Sequence, residues 1–74
     1  KSLVIEIDEI LQLLVKHNVM AINYDEIINT FCRCTGAEAD VIATQLKYME
    51  KLGHLQIEED RNNQTVIRLP YRKI

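Results

Sequence analysis

Residues 35–57 read TGAEADVIATQLKYMEKLGHLQI, and this stretch decides the fold. Its apolar residues recur at three- and four-residue steps, the period of a helix face that packs on a core. These inward residues are Ile42, Leu46, Met49 and Leu52. Thr35 followed by Glu38 has the form of a capping box, so we expect a helix over about Gly36–Leu52. Gly53 then provides a left-handed stop.

A β-hairpin is predicted after this helix. Leu55 and Ile57 alternate with polar residues, at the two-residue period of a strand with one buried face. Residues 60–63, Asp-Arg-Asn-Asn, tolerate the positive φ angles of a turn. A β-branched return strand follows over Thr65–Leu69, and Pro70 ends it because proline cannot donate to a ladder.

Two shorter helices are predicted upstream. The first spans about Leu3–His17, with acids in its first half and basic residues at its end, as the helix dipole favours. The second begins at Asn23, where Glu26 completes a capping box, and runs to about Cys34. Residues 19–22, between them, favour a short extended segment. Three large side chains are expected in the core, namely Met20, Phe31 and Met49.

Size and charge restrict the function. The 74 residues make one domain, which we interpret as a module cut from a longer chain, and the net charge is −2. Residues 1–46 carry three basic and seven acidic side chains, whereas residues 47–74 carry six and four. The acidic balance disfavours strong nonspecific affinity for nucleic acid, but the C-terminal part is positive. No apolar run approaches the roughly 18 residues of a membrane span, so membrane insertion is not expected.

Cysteine and histidine are sparse. Cys32 and Cys34 stand too close for ordinary disulfide geometry, which favours reduced thiols in an intracellular, nuclear or cytoplasmic protein. Together with His17 and His54 they have the composition of a zinc site, but the spacing is atypical, so free thiols are the preferred interpretation. We therefore expect no metal and no cofactor.

Enzymatic activity has little support in the sequence. There is no glycine-rich phosphate loop, and the single serine, Ser2, lies at the start of the chain. No histidine stands beside a nucleophile in a recognisable arrangement. We therefore expect neither catalysis nor a small-molecule substrate.

The motif Leu46-x-x-Met49-Glu50-x-Leu52-Gly53-x-Leu55 resembles the third helix and first wing strand of winged-helix domains. The resemblance covers essentially the whole chain, 1–74, by the order of its elements. It implies an α+β winged helix-turn-helix, in which three helices precede a two-stranded β-hairpin wing. A short strand between helices one and two would pair with the wing.

In nucleic-acid-binding members of this superfamily, the third helix enters the major groove of a duplex and the wing touches the backbone or minor groove. The resemblance implies that Thr44 and Gln45 contact base edges. Phosphate contacts would come from Lys47, Tyr48 and Lys51. The wing would add Arg61, Asn62, Asn63 and Gln64 at its tip, with backbone charge from Arg68, Arg72 and Lys73. Such a domain would serve a transcription, replication or repair protein.

Other winged-helix domains bind only protein, and the acids in this chain favour that alternative. Glu38 and Asp40 precede the helical positions that would approach phosphate, and three acids stand at 58–60 beside the wing tip. In this second class, either the broad apolar face of helix one, including Leu13, or the acid-rich surface docks a neighbouring subunit of an assembly. An exposed Tyr48 would also favour an interface. The fold and the positive C-terminal half favour nucleic-acid binding, which is the prediction from the sequence, and protein binding is the alternative.

Overall fold

The computed structural model describes residues 2–69 and contains three helices and three strands there. In chain order these are α1 (Leu3–Lys16), β1 (Ala21–Asn23), α2 (Tyr24–Thr35), α3 (Ala39–Lys51), β2 (Gln56–Glu59) and β3 (Thr65–Arg68). The strands form one antiparallel sheet in the order β1-β3-β2. The fold is therefore α+β, as predicted. A strand before α2 is confirmed, but it covers Ala21–Asn23 and not the predicted 19–22, and its Ile22 lies opposite Ile67 of β3.

A single core is built from all three helices and the inner face of the sheet. Its buried members are Ile7, Leu11, Ile27, Ile28, Phe31, Ile42, Leu46, Met49, Leu55, Ile67 and Leu69. Phe31 and Met49 are buried as predicted, but the prediction for Met20 is wrong, because 40% of this residue is exposed. Met20 lies just before β1, where it lines an open groove with Gly53 and Leu55.

The connection between α2 and α3 differs from the prediction. Thr35 ends α2, and its Oγ1 donates to the Phe31 carbonyl (2.7 Å) and accepts from the Ala37 amide (3.2 Å). Gly36 follows as a left-handed C-cap with φ 78°. The hydroxyl thus serves the turn after α2, and the predicted capping box at the start of α3 does not form. Glu38 occupies the N-cap position of α3 without a side-chain capping hydrogen bond.

Two other predicted helix ends are confirmed. Asn23 caps α2, since its Oδ1 accepts a hydrogen bond of 3.0 Å from the Glu26 amide. Gly53 follows α3 with φ 86°, and its amide donates to the Glu50 carbonyl over 3.0 Å. Asn23 thus defines the start of α2, and Gly53 ends α3.

The turn of the hairpin is organised by one carboxylate. Asp60 Oδ1 accepts hydrogen bonds from the amides of Asn62 (2.9 Å) and Gln64 (3.0 Å). The Asn63 amide donates to the Asp60 carbonyl over 3.1 Å, and Asn63 itself has φ 62°. The predicted polar turn with a positive φ is confirmed. We refer to residues 60–64 as the hairpin tip.

Candidate interaction surface

One side of α3 exposes three large apolar side chains. They are Val41 (43% exposed), Tyr48 (56%) and Leu52, which follows the helix (56%). Their spacings of seven and four residues place them on one side of the helix. We name these three residues the α3 apolar stripe. The prediction that Leu52 points inward is wrong, because it lies about a quarter turn around the helix from the buried face.

A polar flank runs beside this stripe along the solvent side of α3. Its members are Asp40, Thr44, Lys47 and Lys51, and all four are exposed. Thr44 Oγ1 donates to the Asp40 carbonyl over 2.9 Å, and Asp40 Oδ1 accepts from the Val41 amide over 2.9 Å. Along the flank, Asp40 lies at the N-terminal end, and Lys47 and Lys51 lie toward the C-terminal end. Gln45 is half-buried on the other side of the stripe.

The lysines of the polar flank are available for a partner. Within residues 2–69, neither Lys47 nor Lys51 forms an ion pair. The pairing of Lys47 with Glu50 that their spacing permits is absent, because Glu50 Oε2 instead accepts a hydrogen bond from the Ile57 amide over 3.1 Å. The five predicted helical contacts, at 44, 45, 47, 48 and 51, thus share one continuous surface.

The predicted wing residues lie elsewhere on the surface. Arg61, Asn62 and Asn63 are exposed at the hairpin tip. Arg68 is exposed on β3, where its Nε lies 3.3 Å from Glu58 Oε2 in a cross-strand ion pair. This pairing reduces the charge that Arg68 can offer to phosphate. Arg72 and Lys73, which the sequence also suggested, lie outside the described residues.

The charge around α3 and the hairpin is negative. From Glu38 to Leu69 there are four basic side chains and six acidic ones, so the net charge of this part is 4 − 6 = −2. The positive balance of the C-terminal part of the chain thus depends on Arg72 and Lys73. An interface for nucleic acid normally needs a basic patch, because neutralisation of phosphates supplies much of the affinity.

The other apolar surface suggested by the sequence has fewer exposed large side chains. Leu13 of α1 is exposed (55%), as predicted, and Ile5 is 49% exposed. Glu9 lies between them along the same side of α1, and most of the remaining apolar residues of this helix pack on the core. The α3 apolar stripe is therefore the more extensive of the two surfaces.

Val41 and Leu52 are the members of the surface that sequence reasoning missed. The signal was present, since residues at i, i+7 and i+11 share a helix face. Leu52 also stands three residues after the buried Met49, and that helical spacing concealed its position at the margin of the buried face.

Metal binding, the two thiols and membrane insertion are the other features that the sequence raised. No group of three or more histidine, cysteine, aspartate or glutamate residues within 2–69 is arranged to hold a metal ion. Cys32 is a half-buried free thiol, and Cys34 is an exposed one. No helix in this range has the length and apolar character needed to cross a membrane.

Comparisons with models of known protein families, with curated proteins and with solved structures find no match to this chain.

Proposed function

We propose that the chain is a winged-helix domain that binds another protein, and that the α3 apolar stripe is its contact surface. The order of the elements supports the winged-helix assignment. So does the pairing of β1 with β3, which is the pairing that the resemblance implies. In this scheme α3 is the third helix, and the hairpin formed by β2 and β3 is the wing.

The observation that carries the proposed function is the exposure of Val41, Tyr48 and Leu52 along one side of α3. Single exposed apolar residues are normal on protein surfaces, whereas several large ones that share one side of a helix favour a site of interaction. Tyrosine is enriched at the energetic centres of protein interfaces, because it buries a large ring and keeps a polar group. The negative charge of the surrounding surface is compatible with a protein partner.

Photocrosslinking tests this proposal. Replacement of Tyr48 by benzoylphenylalanine keeps an aromatic ring at the exposed position, and the same replacement at Leu13 provides a control of nearly equal exposure. In the intact protein in cells, we expect crosslinks from position 48 to protein and few from position 13. Crosslinks from position 13 with none from position 48 would contradict the assignment of the surface. Adducts from position 48 that nuclease treatment removes would show that the partner is nucleic acid and contradict the proposal of a protein partner.

Duplex nucleic-acid binding is the second candidate, and the two unpaired lysines of the polar flank favour it. Lys47 and Lys51 stand beside Thr44 on the solvent side of α3, where base edges and phosphates would be reached together. In this case the double variant Lys47→Ala, Lys51→Ala loses duplex binding and keeps its melting temperature. A Tyr48→Ser, Leu52→Ser variant, by contrast, loses binding to a protein partner and leaves the lysines in place.

A further inference from the structure

The polar flank of α3 has an ordered distribution of charge. Asp40 lies in the first turn of α3 and Lys51 in its last turn, and both lie on the same side of the apolar stripe. They are eleven positions apart, or about 16 Å along the helix axis. Between them lie Thr44, which is neutral, and Lys47. The polar flank thus has its acid at one end and its lysines toward the other.

A partner helix that matched this surface would have a defined pattern. It would need apolar side chains against the stripe, a base opposite Asp40 and an acid opposite Lys51. When two identical helices pack antiparallel, the polar flank of one faces the polar flank of the other, and the two flanks run in opposite directions. A second copy of α3 therefore supplies the required pattern, because Lys51 of that copy would stand opposite Asp40 and the reverse pair would form by symmetry.

The apolar stripe satisfies the same symmetry. The midpoint between Asp40 and Lys51 falls between Gln45 and Leu46, about one turn from Tyr48. Val41 and Leu52 lie on opposite sides of this midpoint. In an antiparallel pair, Val41 of one copy would thus pack beside Tyr48 and Leu52 of the other, and the two tyrosines would lie near the two-fold axis.

Building on the proposed function, we infer that the protein bound by this surface is a second copy of the chain. The two α3 helices pack antiparallel through Val41, Tyr48 and Leu52, with reciprocal pairs between Asp40 and Lys51. Interfaces that bury less than about 1,200 Å² in total are usually weak. Three side chains from each copy make a small contact, so we expect a dissociation constant on the order of 100 µM for the isolated chain.

Sedimentation equilibrium at low ionic strength tests the inference. The chain should self-associate across the range from about 10 µM to 1 mM, and Tyr48→Ser should remain monomeric. Asp40→Lys places two lysines opposite each other, and Lys51→Glu places two acids opposite each other. Each single variant should therefore weaken self-association by about fivefold or more. Circular dichroism melts establish that the variants are folded.

The decisive sample is an equimolar mixture of the Asp40→Lys and Lys51→Glu variants. In an antiparallel pair, the new lysine of one variant faces the new glutamate of the other, and the natural Asp40 faces the natural Lys51. The mixture should therefore associate about as strongly as the unsubstituted chain and more strongly than either variant alone, which also demonstrates that both variants are folded. A mixture no better than its components would overturn the antiparallel arrangement.

A separate result distinguishes this inference from the proposed function on which it rests. If the unsubstituted chain remains monomeric at 1 mM, about ten times the expected dissociation constant, a second copy is not the partner. Crosslinks from position 48 to a different protein would then support the α3 apolar stripe as the contact surface and contradict only the inference that its partner is a second copy. If position 48 yields no protein crosslinks either, both proposals fail.

Discussion

Glu50 of α3 accepts a hydrogen bond from the backbone amide of Ile57 in β2, with Oε2 3.1 Å from the nitrogen. Strand β2 is at the edge of the sheet, and this amide faces α3 instead of the neighbouring strand. Exposed edge amides are templates for pairing with other chains. The carboxylate of Glu50 therefore satisfies an edge donor and ties α3 to the hairpin.

Removal of this carboxylate should loosen the junction between α3 and the hairpin. We expect Glu50→Ala to lower the free energy of unfolding by about 1 kcal/mol. In a domain of this size, that corresponds to a fall of roughly 4–8 °C in melting temperature. Glu50→Gln is the matched control, because its amide oxygen still accepts. Hydrogen exchange at Ile57 should accelerate in the alanine variant, and unchanged exchange there would contradict the role of Glu50.

The hairpin tip should depend on Asp60 in a similar way. Asp60→Ala removes the acceptor for two backbone amides, those of Asn62 and Gln64, and should cost about 1 kcal/mol of stability. Asp60→Asn retains an oxygen in the same place and should cost less. Glu59 is an exposed neighbour, and its replacement by alanine should change stability by less than about 0.5 kcal/mol. Denaturant unfolding curves of the three variants test this ranking, and equal effects from Asp60→Ala and Glu59→Ala would refute it.

The connection between α2 and α3 can be tested at Gly36. Its φ of 78° is disfavoured for residues with a Cβ, while a Cβ placed there meets no heavy atom within 4 Å. Gly36→Ala should therefore lose about 1 kcal/mol through backbone strain alone. Gly36→Asn should lose less, because asparagine tolerates the left-handed region. An alanine variant as stable as the parent chain in thermal melts would show that the turn adopts another conformation.

Because the α3 apolar stripe is exposed, truncation of its large side chains should change the free energy of unfolding only slightly. Leu52→Ala should cost less than about 1 kcal/mol, since more than half of the residue is exposed. The same change at the buried Leu46 should cost about 2–5 kcal/mol. Both losses can be read from urea unfolding of the two variants. If Leu52→Ala proved as destabilising as Leu46→Ala, Leu52 would belong to the core and the stripe would be reduced to two residues.

The sequence predicted those parts of the fold that local chemistry decides. Asn23 and Gly53 act within one helical turn of their own positions, so their patterns were sufficient to locate two helix ends. Thr35 was ambiguous because its hydroxyl can serve either the helix before it or the helix after it. The neighbouring Gly36, which favours a left-handed C-cap, resolves the choice in favour of α2.

The candidate surface was harder to predict because it depends on tertiary packing. Spacing alone does not determine whether a residue at the margin of a helix face is covered, and Leu52 is left uncovered. The hydrogen bond from Ile57 to Glu50 joins residues seven positions apart in two different elements and also escaped prediction. Asp60 was recognised as turn material, but its two amide contacts depend on the closed turn.

The most direct test of the central claim, that α3 presents a surface for protein and not for nucleic acid, is a duplex titration. The domain is titrated into a fluorescent random-sequence duplex at low salt and again at physiological salt. We predict no micromolar binding at low salt, because the described part of α3 and the hairpin has a net negative charge. Micromolar binding that weakens steeply with salt, and that Lys47→Ala with Lys51→Ala abolishes in a folded domain, would contradict the claim.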